Sequence, residues 1–173
     1  MKLILVLGGA RSGKSRYAQE LASSLSGPVL LVATAVPGDE EMRQRIEEHR
    51  RGRPPSWHTL EIEAGVGEAL EREGRGAGVV LLDCLTLLVA NALGEGGKAG
   101  EERVERELQG LLGALDRLPA TFIVVSDEVG MGLVPDNPLG RQYRDLLGRA
   151  NQLLAQRADQ VYLLVAGVPL RLK

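Results

Sequence analysis

The sequence predicts an α/β fold, with a mostly parallel central sheet flanked by helices and an antiparallel strand at the C-terminal end. Three observations carry that prediction. Five short runs, 3–7, 29–33, 79–83, 121–126 and 161–165, are rich in Val, Leu and Ile and are almost continuously apolar. Strands buried on both faces of a parallel sheet read this way, because neither face can be polar. Between the runs lie amphipathic stretches with helical spacing at 14–25, 40–51, 101–118 and 139–157. In the last of these, Leu139, Tyr143, Leu146, Leu147, Ala150, Leu153 and Leu154 keep one face apolar. Strand and helix patterns alternating along a chain imply crossover connections over a parallel sheet. The third observation is the end of the chain, where 161–165, Ala166-Gly167 and 168–172 read as a closing hairpin.

With 173 residues and no internal repeat or long linker, the chain reads as one domain, 1–173. Gly52-Arg53-Pro54-Pro55-Ser56 and the stretch 94–100, with its glycines at 94, 96, 97 and 100, read as loops. Aromatics are 3% of the residues and the net charge is −2, which argues against a nucleic-acid partner held by stacking or phosphate contacts. Cys84 is the only cysteine, which rules out an intrachain disulfide and a cysteine metal cluster. The apolar run that starts at Leu3 stops at Gly8, too short for a signal peptide or a membrane span. A cytoplasmic protein is therefore expected.

The strongest local signal is Gly8-Gly9-Ala10-Arg11-Ser12-Gly13-Lys14-Ser15. A glycine, four residues, then Gly-Lys-Ser, set between a strand and a helix, is the pattern of a loop that wraps phosphates. Its glycines let backbone N–H groups face phosphate oxygens, and the helix that follows adds the positive end of its dipole. Lys14 would reach the β- and γ-phosphates and Ser15 would offer its hydroxyl to Mg²⁺. A partner acid is expected at the end of another core strand, and Asp83 closes the run Val79-Val80-Leu81-Leu82. Asp127 and Glu128 follow another apolar run and are second-choice acids.

His49 sits in Glu47-Glu48-His49-Arg50-Arg51-Gly52-Arg53, near the end of an amphipathic stretch. Guanidinium groups bind phosphate oxygens in pairs, and a neutral imidazole beside them can attack an α-phosphate. A basic run at a helix C-terminus is also what the helix dipole favours, and spacing alone leaves both readings open. His58, next to Trp57, reads as a packing residue.

Beyond these features, the chain resembles, essentially end to end, the bifunctional adenosylcobinamide kinase / adenosylcobinamide-phosphate guanylyltransferase family. The resemblance rests on the phosphate loop; Ala33-Thr34-Ala35; Glu41-Met42 through Arg45-Ile46 to His49; Gly52-Arg53-Pro54; Val129-Gly130-Met131-Gly132 with Val134-Pro135; and Gly148-Arg149 with Asn151-Gln152. It implies a P-loop NTPase fold of the RecA-like kind. It also implies two reactions: phosphorylation of adenosylcobinamide by ATP or GTP, then transfer of GMP from GTP through a guanylyl-histidine. The matching histidine is His49. The implied nucleotide contacts fall on Gly8, Gly9, Ala10, Arg11, Ser12, Gly13, Lys14 and Ser15, on Ala33, Thr34 and Ala35, on Arg50, Arg51, Gly52 and Arg53, and on Glu61 and Asp83. Mg²⁺ is implied at Ser15 and Asp83, and a homo-oligomer, often a trimer, is implied as the assembly. Two departures stand out. Some relatives have adjacent histidines where this chain has Glu48-His49, and some have Glu where it has Asp83. Met131, Leu133 and Val134 are the candidates for a corrin contact. The alternatives are a P-loop small-molecule kinase without the transferase half, and a nucleotide-operated regulatory NTPase.

Overall fold

The computed structural model describes residues 2–38 and 40–173, with the side chains of Glu41, Met42, Arg45 and His49 outside the described set. The elements run β1 (Lys2–Gly8), α1 (Lys14–Ser24), β2 (Val29–Ala33), α2 (Glu40–Arg51), β3 (His58–Glu61), α3 (Val66–Glu73), β4 (Val79–Asp83), α4 (Leu85–Leu93), α5 (Gly97–Arg117), β5 (Thr121–Asp127), α6 (Pro138–Arg157), β6 (Gln160–Val165) and β7 (Val168–Arg171). They build one seven-stranded sheet in the order β3-β2-β4-β5-β1-β6-β7. All neighbours are parallel except β6 and β7, which form the expected antiparallel hairpin. Strand β5 lies between the strand that leads into the phosphate loop and the strand that ends at Asp83.

The continuous apolar runs are explained by where alternate residues go. Leu3, Leu5 and Leu7 of β1 join a core with α3, α4, α5 and α6 residues such as Leu70, Leu88, Leu115 and Leu147. Ile4 and Val6 point to a second core with Ala18 and Ala22 of α1. With successive side chains on opposite faces and both faces covered, each position must be apolar.

Four elements differ from the sequence expectation. Strand β3, helix α3 and helix α4 were not foreseen, and α5 starts at Gly97, inside the stretch read as a loop. His58 is not a packing residue: it is exposed on the short edge strand, while Trp57 packs against the second core.

Helices α3 and α5 meet through glycine. A Cβ on Gly67 would lie 2.6 Å from both Cα and C of Gly110, which are backbone atoms that no rotamer change can move. At Gly110 the nearest atom to an added Cβ, Gly67 Cα, is 3.3 Å away. Gly67→Ala should therefore destabilise the fold by about 1–3 kcal/mol through overpacking, less a helix-propensity gain of about 1 kcal/mol. Gly110→Ala should come out close to neutral. Urea midpoints of the two variants check this order.

Candidate active site

The carboxyl ends of the parallel strands form one edge of the sheet, and Gly8, Ala33, Glu61, Asp83 and Asp127 lie along it. Register sets Gly8 beside Asp127, and Ala33 between Asp83 and Glu61. Open α/β sheets bind ligands at this edge because the loops and helix N-termini that can wrap a ligand all lie there.

The loop Gly8–Ser15 turns tightly between β1 and α1. Gly13 adopts φ 92°, and a Cβ on Gly8 would lie 2.5 Å from Ser12 Oγ and 2.7 Å from the Leu164 carbonyl oxygen. The turn of the last hairpin clasps the loop from outside, with Gly167 N–H donating to the Ser12 carbonyl at 2.9 Å. Among the described residues, buried Ser12 Oγ has no hydrogen-bond partner, a capacity that a bound acceptor would satisfy. Lys14 is 8% exposed, and its ammonium donates to the Gly9 carbonyl at 2.7 Å and pairs with Asp127 Oδ1 at 2.5 Å.

Ser15 Oγ donates to Asp83 Oδ1 at 3.3 Å, joining the loop to the end of β4. A hydroxyl and one carboxylate are a hard-oxygen pair of the kind Mg²⁺ accepts alongside substrate phosphates and water. Among the described residues no group of three or more His, Cys, Asp and Glu side chains could hold a metal alone.

Thr34 is fully buried and is engaged elsewhere. Its hydroxyl donates to the Cys84 carbonyl at 2.7 Å and accepts from Cys84 N–H at 2.9 Å, while its own N–H donates to the Asp83 carbonyl. Its side chain therefore braces the backbone at Asp83. The Cys84 thiol is pushed up to about 12, first by burial and then by the Asp83 charge, so it stays protonated and is no nucleophile.

The arginine group divides. Arg50 donates from Nε and Nη2 to both oxygens of Glu61, at 2.8 and 2.5 Å, and Arg53 Nη1 donates to Oε1 at 3.1 Å. Arg51 instead faces Glu47 at 3.5 Å and is 80% exposed in its side chain. Arg53 also lines a small cavity of about 60 Å³ with Gln19, Leu31, Ala33, Asp83, Cys84 and Leu87, which brings the clamp alongside the acid of β4. His49 lies in α2, one residue before the anchored Arg50; its side chain lies outside the described residues.

Two positioning residues were missed from sequence. Thr86 Oγ1 accepts from Asp127 N–H at 2.7 Å, and Asn151 Nδ2 donates to the Asp127 carbonyl at 3.1 Å. Asn151 carried a readable signal, since it is an amide on the helical face formed by Leu147 and Leu154. A polar side chain on an apolar stripe must find a partner in the core.

The family described as cobinamide kinase / cobinamide phosphate guanyltransferase matches residues 4–172. The chain belongs to that family. This cobinamide kinase / guanyltransferase family member is 42% identical over 181 aligned residues to the bifunctional adenosylcobalamin biosynthesis protein CobU of Escherichia coli (strain K12), covering 99% of each chain. It is 43% identical to the bifunctional adenosylcobalamin biosynthesis protein CobP of Pseudomonas aeruginosa (strain PAO1), covering 98% of this chain and 96% of that one. Among solved structures, an ATPase from the type III secretion system of pathogenic bacteria superposes with a TM-score of 0.61 at 14% identity. That match covers 95% of this chain but only 52% of the ATPase, and the likeness is one of fold.

In this member of the cobinamide kinase family the Glu61 clamp is pH-sensitive in a defined direction. Hydrogen bonding from Arg50, ahead of that from Arg53, holds the Glu61 carboxyl below its usual value of 4.5. A depressed folded value means that the clamp stabilises above the unfolded pKa and loses this contribution as pH falls through the folded one. Glu61→Gln should be less stable than wild type at pH 7, by a small margin because the pair is partly exposed. The gap should close below pH 4.5. Thermal melts across pH 3–7 (about that range) follow from this linkage.

Proposed function

We propose that the chain, acting as a single catalytic domain over 1–173, phosphorylates adenosylcobinamide with ATP or GTP and then guanylylates the product. The observation that carries this is the convergence of two kinds of phosphate chemistry on one sheet edge. Lys14, Ser15 and Asp83 lie at the loop end, and Arg53, held by Glu61, lines the same small cavity as Asp83.

In the kinase step Lys14 and the loop N–H groups hold the triphosphate, and the γ-phosphoryl passes to the cobinamide hydroxyl as the β–γ bridging bond breaks. Ser15 and Asp83 are the residues that would hold Mg²⁺, which when bound neutralises phosphate charge. In the transfer step the imidazole of His49, in its neutral form, attacks the α-phosphorus of GTP. The bond to the pyrophosphate oxygen breaks, and pyrophosphate is held by the same loop. A phosphate oxygen of the phosphorylated cobinamide then attacks the guanylyl phosphorus, the N–P bond breaks, and His49 is regenerated with adenosylcobinamide-GDP as product. Arg50 and Arg53 neutralise charge near the α-phosphate.

Other observations support the wider reading. Met131, Leu133 and Val134 are exposed beyond the Asp127 end of β5, an apolar surface suited to a corrin face. Exposed Val165, Val168, Leu170 and Leu172 on the last hairpin support self-association, which we take as a homotrimer. No described helix is long and apolar enough to cross a membrane, in keeping with a cytoplasmic enzyme. Incubation with adenosylcobinamide, Mg²⁺ and GTP should yield adenosylcobinamide-phosphate, then adenosylcobinamide-GDP with one pyrophosphate per guanylyl transferred. Formation of the phosphate alone would reduce the protein to a kinase.

A further inference from the structure

We propose that Asp127 is a positioning residue that latches the Lys14 ammonium in an ion pair, and that a nucleotide phosphate must displace it. The inference rests on reading Gly8–Ser15 as the phosphate cradle.

Lys14 is nearly buried, yet its ammonium is already partnered: Asp127 Oδ1 at 2.5 Å and the Gly9 carbonyl at 2.7 Å. Both partners belong to the rim of the loop, so the cation is folded back over the backbone that would surround a phosphate. A buried ammonium cannot be left without a partner, and the Asp127 carboxylate fills that role. Asp127 is held in place for it. Its N–H donates to Thr86 Oγ1, its carbonyl accepts from Asn151 Nδ2, and its strand neighbour is Gly8, whose carbonyl accepts from Glu128 N–H. The anchors come from α4, α6 and β1, so the carboxylate position is set by the core and not by the exposed loop that follows.

An incoming triphosphate competes with Asp127 for the same ammonium, and it also meets the carboxylate as a like charge at the loop rim. The latch therefore weakens every phosphate ligand that uses Lys14. By the same competition it helps to expel pyrophosphate, because Asp127 recaptures the ammonium as the product leaves.

The test is Asp127→Asn, which keeps the shape and removes the charge, with Asp127→Glu as the charge-preserving control. Equilibrium dialysis with Mg²⁺-GTP and with pyrophosphate gives the affinities, and melting of the nucleotide-free protein gives stability. Asp127→Asn should bind both ligands roughly tenfold more tightly, while its nucleotide-free melting temperature falls. Asp127→Glu should stay near wild type in affinity. A residue with a merely structural role would lower stability and affinity together, so unchanged or weaker binding by Asp127→Asn overturns the latch. Lys14→Ala separates the two levels of the argument. If it leaves GTP affinity unchanged, the cradle reading itself is wrong. If it weakens binding while Asp127→Asn does not tighten it, only the latch is wrong.

Discussion

Lys14→Ala should lower phosphorylation of adenosylcobinamide and guanylyl transfer together, each by roughly 10²–10³-fold in kcat/KM. The joint loss follows from position. Lys14 is the one lysine in the loop, it is nearly buried, and it sits at the N-terminus of α1 where the dipole already favours anions. In the proposed kinase step its ammonium would meet charge on the β- and γ-phosphates, and in the proposed transfer step the charge that develops on departing pyrophosphate. Removing one preorganised, nearly buried cation costs far more than the same contact is worth in water. The substitution also leaves Asp127 without its cation, so the variant's melting temperature belongs beside its rates. Unequal losses, with one reaction spared, would mean that the two reactions use different phosphate sites.

His49→Ala should split the activities that Lys14→Ala removes together. Guanylyl transfer should fall to background, because the proposed mechanism carries the guanylyl group on His49 and among the described residues no other nucleophile takes its place. Glu48 stands where a second histidine would otherwise follow the pattern, His58 is exposed on the edge strand, and the Cys84 thiol is held protonated by burial. The kinase reaction needs only the loop, the acid of β4 and the substrate hydroxyl, so it should retain most of its rate. Separate assays with labelled γ-phosphate and labelled α-phosphate read the two halves independently. Parallel collapse of both would show that His49 matters for structure or for nucleotide binding and not for the covalent step.

The parts of this molecule that were legible in the sequence are those where burial on both faces, or a phosphate, dictates residue type. Strands β1, β2 and β4 are legible because both their faces are buried and their central positions are all apolar, and β5 and β6 because their runs are apolar nearly throughout. The phosphate loop is legible because Gly8 and Gly13 occupy places where a Cβ would strike neighbouring atoms or demand a disfavoured φ. Helix α4 was hidden for the opposite reason. Its sequence, Leu-Thr-Leu-Leu-Val-Ala-Asn-Ala-Leu, is apolar nearly all round and directly follows an apolar strand, so no helical stripe stands out. Helix α3 has eight residues and begins after Gly65 at φ 73°, with no side-chain cap; the Glu107 carboxylate of α5 accepts from the N–H groups of Gly65 and Val66 instead. No local rule can find a cap supplied from 41 residues away. Strand β3 is four residues on a sheet edge, too short and too polar to stand out.

The candidate site divides along the same line. Asp83 could be named because a strand-end acid is part of the phosphate-loop pattern, and its contact with Ser15 is the one that pattern leads to. The pairing of Lys14 with Asp127 joins residues 113 positions apart (127 less 14) through adjacent strands, which only the sheet order reveals. The division of the arginines was equally out of reach. Arg50 and Arg53 turn to Glu61 because α2 ends over β3, whereas Arg51 points the other way around the helix.

The most direct test of the shared cradle with a covalent histidine is incubation of the protein with GTP labelled at the α-phosphate, followed by denaturation. Label should remain on the protein, resist base, be released by acid, and be absent from His49→Ala. An enzyme that makes adenosylcobinamide-GDP while carrying no such label would contradict the account.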